Sequence, residues 1–113
     1  MHIDDYAFGK IVIDGQSYTS DVIIYPDRVD ASWWRKEGHT LREADLSDIL
    51  AEAPEILVIG TGFSGVMQVP EQTANFLKSK GIGVYIEKTG RAVQLFNEKK
   101  AAGKIIGAFH LTC

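Results

Sequence analysis

Two hydrophobic periods divide the chain. Residues 8–13 form an apolar-rich run closed by Asp14-Gly15, a turn pair that favours a β-hairpin, and residues 18–25 form a second run that ends at Pro26-Asp27. A third short strand is expected over residues 28–32, continuing into Trp33-Trp34. Three such runs joined by turns predict an antiparallel meander. Beyond residue 40 the period changes. Leu46, Ile49, Leu50 and Ala53 fall at i, i+3, i+4 and i+7, one face of a helix that starts between Thr40 and Asp45 and stops by Pro54.

The remaining half alternates strands with helices. Residues 56–59 are a short, wholly apolar strand, and residues 70–80 suit a helix with Pro70 at its first position and Gly81 as a left-handed C-terminal cap. Residues 83–87 read as a strand, Thr89 as an N-cap, residues 91–102 as a helix capped by Gly103, and residues 105–111 as a final strand. Strand, helix, strand, helix, strand is the order that parallel pairing with right-handed crossovers requires. The expected fold class is therefore mixed α/β, a β meander joined to a βαβαβ layer, in one domain spanning residues 1–113.

Parallel sheets place ligand sites beyond the carboxyl ends of their strands. Three segments fall there if the last strand is parallel: Gly60-Thr61-Gly62-Phe63-Ser64-Gly65, Lys88-Thr89-Gly90-Arg91 and His110-Leu111-Thr112-Cys113. The first matches G-x-G-x-x-G, with Glu87 about twenty residues beyond it. A dinucleotide site, however, needs its helix to open within the motif, and here residues 66–69 intervene before Pro70. Glycines that permit a tight turn explain Gly60 and Gly62 more simply. A small anion held by the loop amides and Arg91 is the ligand that would fit this edge. The candidate pocket thus comprises Gly60, Thr61, Gly62, Gly65, Thr89, Arg91, Asn97 and His110.

No catalytic constellation is legible. His2 is terminal, and neither His39 nor His110 has a Ser, Cys or carboxylate at a triad or metal-ligand spacing. His110 faces away from Phe109 and Leu111, and a hydrogen-bonded structural histidine is expected. Asn97, four residues after Val93, should point inward and need partners there. No cofactor and no metal is implied. Trp33-Trp34-Arg35-Lys36 sets two aromatics beside two cations; in an extended segment one indole is core and the other a surface anchor, so Trp34 and Arg35 are candidates for protein contact.

Charge and cysteine content narrow the partners. With 12 basic and 15 acidic residues the net charge is -3, without the basic excess that phosphate-backbone binding uses, so nucleic acid is not an expected partner. There is no apolar run long enough for a membrane span. The single cysteine, Cys113, allows no intramolecular disulfide, and the acidic start Met1-His2-Ile3-Asp4-Asp5 resembles neither a secretory nor a transit signal. A cytoplasmic location is expected. Self-association stays open.

Several of these segments together carry a resemblance. Trp34-Arg35, the Val58-Ile59-Gly60-Thr61-Gly62 run, Val69-Pro70, Gly81-Ile82-Gly83-Val84, Thr89 with Ala92-Val93, Phe96-Asn97 and the ending Phe109-His110-Leu111-Thr112-Cys113 resemble one small-domain family. It includes the animal adipogenesis-associated domain protein, a mitochondrial complex I assembly factor, and uncharacterised archaeal and bacterial proteins. The likeness covers nearly the whole chain and is strongest from Val69 to Cys113, towards the adipogenesis-associated member. It implies a three-layer fold with the meander on one side of the βαβαβ sheet and helices on the other. It implies no established reaction, and a role in assembly or regulation through an unidentified protein partner. Gly60, Thr61, Gly62, Thr89 and Asn97 carry over as pattern residues without known chemistry. The chain departs from the assembly factor in showing no presequence, and has Phe96 where the family usually has tyrosine before Asn97.

Overall fold

A computed structural model describes all residues from Met1 to Cys113. The chain runs β1 (Ile3–Ala7), β2 (Lys10–Ile13), β3 (Gln16–Tyr18), β4 (Val22–Ile24) and β5 (Val29–Asp30). A 3-10 turn at Glu43–Leu46 leads into α1 (Ser47–Ala51). Then follow β6 (Ile56–Thr61), α2 (Glu71–Ser79), β7 (Gly83–Glu87), α3 (Thr89–Lys99) and β8 (Ile105–His110). The first three strands form a small antiparallel sheet. The others form a mixed sheet ordered β5-β4-β8-β6-β7, in which β6 pairs parallel with β7 and β8, and β4 pairs antiparallel with β8.

The mixed α/β class follows the hydrophobic pattern, but the meander is divided. Residues 18–25, expected as one strand, break at residues 19–21; β3 closes the small sheet, while β4 crosses to the mixed one and brings β5 with it. The three-stranded sheet is completed by β1, a segment whose Ile-Asp-Asp-Tyr pattern buries only Ile3 deeply and so gives little apolar signal.

The central strands are the most apolar. All six residues of β8 are buried, as expected of a strand covered on both faces. Ile106 and Ala108 point to one core, Ile105 and Phe109 to the other, the period-two alternation of a strand. On one face Ile3, Ile11 and Ile13 of the small sheet pack with Ala92, Val93, Leu95 and Phe96 of α3 over Val58 and Phe109. On the other, Leu46, Ile49 of α1, Leu77 of α2, Trp33 and Met67 cover Ile23, Leu57 and Ile59.

The layering differs from expectation in one respect. Two helices lie opposite the meander, but α3 lies on its side. Strand order is the cause: the chain leaves β6 through α2 to reach β7 on one flank, then returns through α3 to β8 on the other flank. Two right-handed crossovers in opposite directions must put their helices on opposite faces. Asn97 then ties α3 to β1, its Oδ1 accepting from the Ile3 amide at 3.0 Å and its Nδ2 donating to the Ile3 carbonyl at 2.8 Å.

Two glycines test this packing in opposite senses. A Cβ on Gly107 in β8 would stand 2.8 Å from the Phe96 ring, whereas one on Gly90 in the first turn of α3 would meet nothing within 4 Å. Gly107→Ala should lower stability by about 1–3 kcal/mol through overpacking. Gly90→Ala should raise it by about 0.4–1 kcal/mol by restricting the unfolded chain. Urea midpoints at constant slope measure both.

Candidate functional site

The parallel pairing of β8 with β6 sets Thr61 beside His110, so the three predicted segments do share one edge of the sheet. Thr89 joins them. Completely buried, it lies in the first turn of α3, with Lys88 rather than Thr89 at the N-cap position. Its hydroxyl accepts from the Gly62 amide at 2.8 Å and donates to the His110 carbonyl at 2.6 Å. Thr61 reaches across to β7, its hydroxyl donating to the Glu87 carbonyl.

The glycine loop is filled from within the chain. The Phe63 amide donates to the Thr112 carbonyl at 2.8 Å, and the Ser64 and Val66 amides donate to the Cys113 oxygen at 3.2 and 2.9 Å. Gly62 makes this approach feasible: its φ is +110°, and a Cβ there would collide with the backbone of Cys113. Gly65 also has positive φ and packs against the Lys88 stem. The amides suited to a small anion are therefore engaged by residues 112–113. None of the four surface clefts is lined by Gly60, Thr61, Gly62, Gly65, Thr89 or His110. Arg91 stands exposed on α3, donating to Gln94 and lying 4.0 Å from Glu98. Asn97 serves β1 rather than this edge.

What does converge here is a buried polar cluster around Asp21. Antiparallel pairing of β4 with β8 puts Val22 opposite Phe109, which brings Asp21 to His110. Asp21 Oδ2 accepts from His110 Nδ1 and Arg35 Nη2, each at 2.8 Å, and Oδ1 accepts from the Leu111 amide at 2.8 Å. Since an ionised carboxylate only accepts, Nδ1 of His110 carries the proton. Arg35 also donates to the Gly38 carbonyl, and its guanidinium lies 4.4 Å from the centre of the Trp33 ring. The His39 ring meets His110 edge to face at 5.6 Å. Three buried atoms in this region keep no partner: His110 Nε2, Arg35 Nη1 and Trp33 Nε1.

Arg35 thus turns inward, 8% exposed, whereas Trp34 is 75% exposed. Trp33 and Arg35 share one side of an extended segment and Trp34 takes the other. Asp21 escaped the sequence pattern, although an aspartate opening an apolar strand signals a buried charge that must find partners.

Electrostatics makes Asp21 a fastening. Burial alone would raise its carboxyl, but hydrogen bonds from His110, the Leu111 amide and Arg35 outweigh that and hold it at about 2, below its ordinary 3.8. The His110 Nε2 faces no nucleophile within hydrogen-bond distance and is itself closed off. The cluster pins the end of β8 and the tryptophan segment to the start of β4, a task that needs no solvent access.

Two outcomes follow. Asp21→Asn leaves Arg35 buried without its counter-ion and should cost about 3–5 kcal/mol in urea denaturation. Because the folded carboxyl is the stronger acid, the unfolded chain takes up its proton first as pH falls. The stabilisation from Asp21, on the order of 2 kcal/mol, is then complete above about pH 4 and lost as pH falls towards 2. Stability measured across that window should slope downward in the parent chain and flatten in Asp21→Asn.

Comparison with known proteins agrees with this architecture. A conserved hypothetical protein from Pyrococcus horikoshii OT3 superposes with a TM-score of 0.85 at 26% identity, over 100% of both chains. A protein from Bartonella henselae described as an outer membrane protein gives a TM-score of 0.81 at 26% identity, over 98% of this chain and 94% of that one. A Bordetella pertussis protein described as a Mth938-like domain shares the fold, with a TM-score of 0.66 at 21% identity over 97% of this chain and 85% of that one. The model of a family described as a protein of unknown function (DUF498/DUF598) matches residues 3–111, and the chain belongs to that family.

Proposed function

We propose that this chain is a non-enzymatic cytoplasmic domain that works through protein contacts, with Trp34 as the anchor of its contact surface. The observation that supports this most is the exposure of Trp34 between two buried neighbours. Trp33 is held by the core, and Arg35 by Asp21 and by stacking on Trp33. The intervening indole is consequently presented on a fixed backbone. A side chain carried on a fixed backbone loses less freedom on binding than one on a loose segment, and tryptophan is among the residues that dominate contact energies. The resemblance to the adipogenesis-associated member and to the complex I assembly factor belongs to the same reading, in which the partner is a protein or a second copy of this chain.

The alternative is a protein that binds a small ligand or anion at the glycine edge, with or without catalysis there, and the engagement of the loop amides by residues 112–113 weighs against it. The negative charge of -3 likewise weighs against nucleic acid.

Photo-crosslinking decides between them. A photoreactive residue at position 34 should capture a discrete partner in an extract of the source cell, and one at exposed Gln94 should not. Trp34→Ala should fold with stability within about 0.5 kcal/mol of the parent, because its side chain is mostly in solvent. A thermal-shift screen against nucleotides, phosphates and small acids should be flat. A ligand that added about 2.7 kcal/mol at a hundred times its dissociation constant, together with no crosslink at position 34, would overturn the proposal.

A further inference from the structure

We propose that the cleft beside Trp34 receives a lysine or arginine side chain of the partner; the proposal rests on the contact role of Trp34 and names the chemistry it meets. A cleft of about 240 Å³ lies between the tryptophan segment and the start of α1, and Trp33, Trp34, Asp30, Asp45 and Asp48 line it. Two indoles and three carboxylates are thus presented to one small space. Aromatic faces and carboxylates together are the surroundings that an ammonium or guanidinium group prefers.

The carboxylates have no cation of their own. None of the three forms an ion pair, and nearby Arg28 is committed to Asp27 and Glu52. Asp30 accepts from the amide and hydroxyl of Ser32, and Asp45 accepts from the amides of Lys36 and Arg42. Neutral donors therefore orient two of the charges without cancelling them. The Asp48 carboxylate makes no hydrogen bond and is exposed to an incoming group. Burial pushes the Tyr25 phenol up, and Asp48 and Asp30 push it further against the opposing pull of Arg28.

Trp33, 7% exposed, forms a buried wall of the cleft, and Trp34 an exposed one. The Trp33 ring already stacks on the Arg35 guanidinium, so cation recognition by an indole is in place one residue from Trp34. The Trp34 indole beside the carboxylates offers apolar area that the stem of a lysine or arginine side chain covers and a small organic cation does not.

The test is a tryptophan-fluorescence titration of the whole chain with acetyl-Gly-Arg-Gly-amide and its lysine counterpart. The controls are the neutral citrulline peptide and free methylguanidinium. The basic peptides should give a saturable change that weakens as salt is raised. The citrulline peptide and methylguanidinium should each bind at least about tenfold more weakly. Asp48→Asn should weaken the arginine peptide about twofold to fivefold, and Asp48→Lys, which supplies a tethered competitor, should abolish its response. Asp48 is exposed, and urea midpoints close to the parent's will show that both variants fold. Equal binding of the citrulline peptide, or an arginine response unchanged in Asp48→Lys, would refute the cleft. If position 34 still crosslinks its partner in that case, the contact role survives without the basic occupant. If position 34 crosslinks nothing in the parent, both fall.

Discussion

One carboxylate joins the parts of this molecule that the chain itself keeps apart. Asp21 sits where the strand run leaves the small sheet for the mixed one, and its two oxygens are shared among the last strand, the following amide and a guanidinium from the tryptophan segment. A charge taken out of water is tolerated only when such partners replace its hydration. Each partner is therefore obliged to be where it is. His110 fixes the end of β8, Leu111 fixes the turn of the tail towards the glycine loop, and Arg35 decides which indole faces outward.

The second constraint is handedness. Because β8 returns to the far side of β6, the helices are shared between the two faces, and the small sheet must lie alongside α3 rather than replace the helices of its layer. Asn97 completes that seam by pairing with both polar groups of Ile3, as a neighbouring strand would. A short, acidic strand with one deeply buried side chain is held in place by an amide on a helix.

Much of the fold was legible because period and punctuation agreed in the second half. Pro70 and Gly81 bracketed α2, and residues 83–87 and 105–111 read as the strands on either side of α3. The first half was harder for physical reasons. Ile3 is the one deeply buried residue of β1, too few for a period, and the run at residues 18–25 contains its own break, visible only as Ser20-Asp21. The convergence of three loops on one edge could be read from topology, as could the opposite facing of Trp33 and Trp34. The inward turn of Arg35 could not, because its counter-charge lies 14 residues away across a sheet change. Nor could the filling of the glycine loop, which depends on where residues 112–113 go after β8.

That filling gives the loop a competitor built into the chain. Residues 112–113 occupy the amides of Phe63, Ser64 and Val66 by an intramolecular contact, whose effective concentration is of millimolar order or above. A free anion meets a seat already taken, and its apparent affinity falls in proportion to the fraction of loops that the tail leaves open. Selectivity at this edge is thus exercised by displacement: only a group that binds better than the protein's own backbone would register there at all.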